Sequence, residues 1–117
     1  MNLNESMGFV ETFGIAAAIE AADIMLKAAN VKVKTVANAD AGLITVFCHG
    51  DLASCQAAVD AAKAGPAVSG NCINSHSIPR PSQDVQGLVD KHIGNLLKPV
   101  KTKKPKAAAK KADQTKK

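Results

Sequence analysis

The period of the hydrophobic pattern changes several times along this chain, and the order of those changes restricts the fold more than any other feature. Residues 7–11 are predicted to form a short strand, and residues 12–14 the turn that follows it. From residue 15 to about residue 30, apolar side chains recur with the 3.6-residue period of a helix, while Glu20, Asp23 and Lys27 fall off the apolar face. The predicted apolar face consists of Ile15, Ala18, Ile19, Ala22, Met25, Leu26 and Ala29.

A period of two replaces the helical period at residue 31. Residues 31–36 alternate as a half-exposed strand does, and residues 37–42 are small and polar, as in a turn. Residues 43–48 form an apolar run that suits a buried strand. These two strands are predicted to pair as a hairpin.

A second helix is predicted between a start signal and a stop signal. Gly50 breaks the preceding strand, and Asp51 is suited to cap the first backbone N–H groups of the helix. The helix is expected to stop at Gly65 and Pro66. Its apolar positions are Leu52, Cys55, Ala58, Val59 and Ala62.

The last part of the pattern adds one strand and one helix. A strand is predicted over residues 72–78, and the Pro-Arg-Pro run at 79–81 ends it because neither proline has a backbone N–H to donate. Ser82 can cap a final helix, whose apolar positions are Val85, Leu88, Val89, Ile93 and Leu96. The complete order predicts an α+β fold of the ferredoxin-like split β-α-β form, a four-stranded antiparallel sheet with helices on one face plus a C-terminal helix.

The charges divide the chain into an acidic body and a basic tail. Residues 98–117 hold nine of the fifteen basic residues against one acid, Asp113, which gives a net charge of +8. Residues 1–97 hold six bases and nine acids, a net charge of −3. The predicted organisation is a flexible lead at 1–6, one domain at 7–97 and a Lys-rich disordered tail at 98–117. The body is therefore not a nucleic-acid reader, and nucleic acid is expected to bind only non-specifically, through the tail.

Large aromatic side chains are scarce. The chain has no Trp and no Tyr, and its only aromatics besides histidine are Phe9, Phe13 and Phe47. The core is therefore expected to consist of Ala, Val, Ile and Leu, and such a small core gives marginal stability. Association with copies of the same chain would offset that weakness.

The polar motifs do not indicate catalysis or a metal site. Cys48, Cys55 and Cys72 have no C-x-x-C spacing, and they are interpreted as free buried thiols. His49 and His76 lie on different predicted elements from each other and from His92, which favours structural roles. The chain contains no phosphate-binding loop and no nucleophile elbow. No apolar run reaches the roughly 18 residues of a membrane span, and no secretory signal is visible, so a soluble cytoplasmic protein is expected.

Several short strings together resemble one protein family. They are MGFVET at 7–12, AAIEAAD at 17–23, MLKAANV at 25–31, GLITV at 42–46, GD at 50–51 and IPRP at 78–81. In this order and spacing they are similar to the landmarks of the single-domain shell proteins of bacterial microcompartments. The resemblance covers about residues 7–90. It implies a structural, non-enzymatic protein without a cofactor, which forms hexamers that tile edge to edge with one another and with other shell proteins around enclosed enzymes.

The resemblance also implies roles for six residues. Ala39, Asp40 and Ala41 would line a pore on the six-fold axis that passes small metabolites, where Asp40 replaces the glycine that is common in the family. Its carboxylate would draw in cations, unless it turns sideways to hydrogen-bond its own turn. Lys27, Asn30 and Arg80 would lie at the hexamer edge, although Lys27 can also pair with Asp23 on its own helix.

A second function fits the same fold class. Ferredoxin-like folds also serve as small regulatory or binding modules that form discrete oligomers, and a Lys-rich tail suits an acidic partner. The fold alone does not decide between the two functions.

Overall fold

The computed structural model describes residues 4–38 and 41–92, except for the side chains of residues 34–38 and 92. The elements are β1 (Ser6–Phe13), α1 (Ile15–Ala28), β2 (Lys32–Asn38), β3 (Leu43–Gly50), α2 (Leu52–Ala64), α3 (Pro66–Ser69), β4 (Cys72–Ile78) and α4 (Gln83–His92). The four strands form one sheet in the order β2-β3-β1-β4, and every neighbouring pair is antiparallel. The helices α1 and α2 pack on each other and on the sheet. The predicted ferredoxin-like α+β fold is confirmed.

The helix α2 begins where the sequence predicts and for the predicted reason. The carboxylate of Asp51 accepts a hydrogen bond from the backbone N–H of Ser54 at 2.8 Å, which satisfies one of the free donors at the helix start. This bond lowers the pKa of Asp51 below its ordinary value. The buried residues of α2 are Cys55, Ala58, Val59 and Ala62, as predicted, while Leu52 remains 37% exposed.

Several predicted boundaries are wrong by one or two residues, and β3 includes Gly50, which was expected to break it. Thr12 and Phe13 were expected in a turn but belong to β1, because they pair with Ile44 and Leu43 of β3. The strand β2 likewise runs on through residues 37–38, and α1 ends at Ala28. The short helix α3 was not predicted. Its Pro66, which was expected only to stop α2, also suits the first turn of a new helix, where no donor is needed.

The apolar face of α1 differs from the prediction. The buried residues are smaller than expected, namely Ala17, Ala18, Ala21, Ala22 and Met25. Ile15, Ile19 and Leu26 were placed on the buried face but are 49%, 49% and 51% exposed. These three side chains form an apolar flank along α1, beside the buried face, and that flank stays open to solvent in the single chain.

The core is also composed differently from the prediction. It combines Ala, Val and Ile with Met7, Met25, Cys48 and Cys55, and among the described residues no leucine is buried. The close packing of α2 on β1 depends on Gly8. A Cβ atom at this position would lie 2.9 Å from Val59 Cγ2 and 3.0 Å from Cys48 Sγ, too close for either contact. Among the described residues, no helix has the length and apolar character to cross a membrane.

Candidate functional site

The turn between β2 and β3 is fixed to the end of β1. Ala41 and Gly42 both adopt positive φ angles, of 53° and 82°, which glycine tolerates better than alanine. The Gly42 carbonyl accepts a hydrogen bond from the backbone N–H of Gly14 at 2.7 Å. The Phe13 ring lies beside Gly42, since a Cβ atom there would be 3.5 Å from Phe13 Cε2. Of the three residues predicted at the pore, Ala41 is exposed in this turn, whereas Ala39 and Asp40 lie outside the described residues.

The second predicted group, at the edge, is exposed to solvent. Lys27 pairs with Asp23, its Nζ lying 2.7 Å from Asp23 Oδ2, while 75% of the Lys27 side chain remains exposed. The hydrogen bond and charge of Asp23 raise the pKa of Lys27. Asn30 is exposed just after α1, and Arg80 is exposed in the Pro-Arg-Pro turn. The ion pair with Asp23, which is the alternative role of Lys27, is therefore formed in the single chain.

Sheet register separates these two groups. Ser6 pairs with Gly50 and Met7 with Ile78 at one end of the sheet, and Asn30 and Arg80 flank that end. The Ser6 hydroxyl donates to the Pro79 carbonyl, which fixes the Pro-Arg-Pro turn there. At the other end Phe13 pairs with Leu43, next to the β2–β3 turn. A strand of this length spans about 24 Å, so Ala41 lies at the opposite end of the sheet from Asn30 and Arg80.

The histidine and cysteine side chains that the structure describes are spread over several elements. His49 contacts the Glu5 carboxylate, and His76 lies against the Phe9 ring with centroids 5.9 Å apart. Cys48 and Cys55 are buried, as predicted, but Cys72 is only half-buried. Within residues 4–38 and 41–92, no three His, Cys, Asp or Glu side chains are grouped to hold a metal ion.

A groove on the open face of the sheet was not predicted. Phe9 pairs in register with Phe47 and His76, and Glu11 pairs with Thr45 and Asn74. These side chains point away from the face that buries Val10 and Val46. The groove has a volume of about 240 Å³ and is lined by Phe9, Glu11, Thr45, Asn74, Ser75 and His76. The sequence contained one signal for this groove. Phe9 and Glu11 flank buried Val10, and alternate residues of a strand occupy opposite faces of the sheet.

Comparisons with known proteins point to one family. A family model described as the BMC domain matches residues 6–81. The chain is 44% identical over 82 residues to the bacterial microcompartment shell protein EutM of Salmonella typhimurium, covering 70% of this chain and 85% of that protein. It is also 44% identical over 89 residues to the bacterial microcompartment shell protein PduA of Citrobacter freundii, covering 76% of this chain and 96% of that protein. A crystal structure of a microcompartment protein from Desulfitobacterium hafniense matches with a TM-score of 0.67 and 32% identity, over 80% of this chain and 51% of that chain.

Proposed function

The chain belongs to the BMC domain family of bacterial microcompartment shell proteins, and from this premise we propose that it is a structural tile that forms six-membered rings. In such a shell, rings pack edge to edge into a sheet around a cytoplasmic compartment. The role is structural, and small metabolites pass through the opening at the centre of each ring. The observation that carries the proposal is the family match over residues 6–81, which includes every strand of the sheet.

Exposed apolar surface on the single chain supports self-association. Among the described residues, eight large hydrophobic side chains are more than a third exposed, and where such side chains adjoin, as on α1, they mark a surface for association. Three of them form the flank of α1, and Phe13 and Ile73 lie near the β2–β3 end of the sheet, at 59% and 51% exposure. The remaining members are Leu52, Val85 and Leu88.

The two ends of the protomer supply the two surfaces that a tile needs. The proposal assigns the β2–β3 turn, with Ala39, Asp40 and Ala41, to the central pore. It assigns Lys27, Asn30 and Arg80 to the outer edge, where one ring meets the next. The register of the sheet supports this assignment, because one end of each protomer must approach the ring axis while the other reaches the neighbouring ring.

Electron microscopy of Lys27→Asp tests the proposal. The unmodified protein should show six-fold rings joined into sheets, and the variant should show separate rings, because the substitution removes the Lys27 donor and places a second carboxylate beside Asp23 at each edge. Lys63→Asp is the matched control, since Lys63 is exposed on α2 and has no assigned edge role. If sheets persist in Lys27→Asp, Lys27 does not contribute to the contact between rings. A discrete monomer or trimer of the unmodified chain would favour the regulatory module instead.

A further inference from the structure

Three polar side chains are buried in the part of the chain that the structure describes, and two of them lie beside the Pro-Arg-Pro turn. The three are Ser6, Thr12 and Gln86, which are 2%, 0% and 5% exposed. Burying a hydroxyl or an amide is unfavourable unless the group forms a hydrogen bond. The hydrogen bonds of Ser6 and Gln86 therefore indicate what these side chains stabilise.

The two side chains hold the turn on either side of Arg80. The Ser6 hydroxyl donates to the carbonyl of Pro79, and the Gln86 side-chain amide donates to the carbonyl of Pro81 at 3.2 Å. A proline has no backbone N–H, so neither proline can fix the turn by donating a hydrogen bond. Their carbonyl groups can accept one, and each accepts it from a buried side chain. Arg80 thus lies between two backbone carbonyl groups that are held in place.

Both donors belong to regular elements of the fold. Ser6 is the first residue of β1 and pairs with Gly50 of β3, and its carbonyl accepts a hydrogen bond from the Cys55 thiol of α2 at 3.4 Å. Gln86 lies in α4, and its backbone N–H donates to the Ser82 carbonyl at 3.0 Å. The turn is therefore fixed both to the two central strands of the sheet and to the helix that follows it.

The Arg80 side chain, in contrast, remains available to an external partner. It is exposed, and its guanidinium group forms no hydrogen bond or ion pair with a residue that the structure describes. Ordering a long side chain and its backbone on binding is unfavourable, and a backbone that is already fixed reduces this entropic penalty. The two buried hydrogen bonds therefore prepare the turn for a contact outside the protomer.

We infer that Ser6 and Gln86 are positioning residues for the contact between rings, which fix the backbone of the Pro-Arg-Pro turn from which Arg80 reaches the neighbouring ring. The inference rests on the proposed function, which assigns Arg80 to the outer edge. Neither positioning residue needs to touch the neighbouring ring, because both act through the turn.

Sheet assembly of variants that lack one donor tests the inference. Ser6→Ala and Gln86→Met should still form rings in native mass spectrometry, but the protein concentration at which rings join into sheets should rise at least about fivefold in light scattering. Thr12→Val is the matched control, because it removes a buried hydroxyl that bonds the carbonyls of Gly14 and Ile44 near the other end of the sheet. Thr12→Val should lower the thermal midpoint in circular dichroism but leave the sheet-forming concentration unchanged. Sheet formation at the unmodified concentration in Ser6→Ala and Gln86→Met would overturn the inference.

A double-mutant cycle tests whether Ser6 acts through Arg80. Arg80→Ala alone should raise the sheet-forming concentration, and adding Ser6→Ala to it should change that concentration by less than about twofold, since no arginine is left to position. A merely structural role of Ser6 would instead give two effects that multiply, and that result would overturn the inference. If Arg80→Ala forms sheets as the unmodified protein does, the edge assignment in the proposed function is wrong, and the inference is overturned with it.

Discussion

At the scale of single residues, the thiols of Cys48 and Cys55 illustrate how small side chains set the chemistry of this core. Both are buried between α2 and the sheet, and the Cys55 thiol donates to the Ser6 carbonyl at 3.4 Å. Burial, with the neighbouring Cys55, raises the pKa of Cys48 to about 12, and burial also raises the pKa of Cys55. Both side chains are therefore neutral thiols at physiological pH, and they behave as small hydrophobic residues.

The pKa shifts predict the reactivity and the alkaline stability of the protein. A disulfide reagent at pH 7.5 should modify one thiol per folded chain, the half-buried Cys72, and three after denaturation. The free energy of unfolding should decrease as pH rises above about 9, the ordinary pKa of these thiols, because the unfolded chain then releases protons that the folded chain retains. Modification of Cys48 in the native protein at pH 7.5 would contradict the burial on which this prediction rests.

Asp40 lies outside the described residues, so its role is predicted from the sequence alone. If six copies of its carboxylate line the pore, cations are attracted and anions are repelled. Asp40→Asn should then increase the permeability of rings to anions relative to cations in bilayer recordings. Asp60→Asn, on the outer face of α2, should leave the selectivity unchanged. Equal selectivity of Asp40→Asn and the unmodified protein would indicate that the carboxylate bonds its own turn.

At the scale of secondary-structure elements, periodicity predicts which elements form but not which partner covers them. All four strands, α1, α2 and α4 were predicted because their periods and caps are local properties of the sequence. The burial of Ile15, Ile19 and Leu26 was predicted wrongly, because an apolar period marks surface that must be covered without specifying whether the same chain covers it. The extension of β1 through Thr12 was missed for a related reason. Pairing with Ile44 and Leu43 of β3 holds these residues in the sheet, and no local pattern reveals partners so distant in sequence.

The contact between α2 and β1 predicts the effect of adding one methyl group. Gly8→Ala should lower the free energy of unfolding by about 1–3 kcal/mol, because the new methyl group would overlap Val59 and Cys48 in a closely packed layer. Gly70→Ala is the matched control, since a Cβ atom there meets no atom within 4 Å and the backbone φ of −78° suits alanine. Urea denaturation of both variants would measure the difference. Equal free energies of unfolding for the two variants would show that the contact between α2 and β1 has room for a methyl group.

At the scale of the whole molecule, charge separates the Lys-rich segment from the body, and the sheet separates the two ends of the body. The Lys-rich segment at 98–117 carries a net charge of +8, and the body carries −3. Within the body, the β2–β3 turn and the predicted edge residues lie at opposite ends of the sheet. The charge division follows from the residue counts alone, whereas the pore and edge roles of the two ends come from the family resemblance and stay predictions. The sequence could not predict the open-face groove, because strands distant in sequence come together there.

The charge division predicts what deletion of residues 98–117 will change. Rings should still form, because the deleted residues contain no periodic apolar face and lie outside the matched region. Binding to a polyanion such as heparin should disappear. In the full-length chain it should weaken steeply with salt, since the screening length falls from about 10 Å at 0.1 M to about 3 Å at 1 M. Loss of the ring on deletion would show that these residues contribute to the fold.

The proposed function requires this chain to assemble into six-membered rings. Native mass spectrometry of the unmodified protein tests it most directly, because the number of subunits is read from the mass without any assay of function. The chain has a mass of 12.1 kDa, so six copies predict a dominant species of about 73 kDa. The same species should persist in Lys27→Asp, in which only the contact between rings is changed. A dominant monomer of 12.1 kDa, or a trimer, would contradict the account.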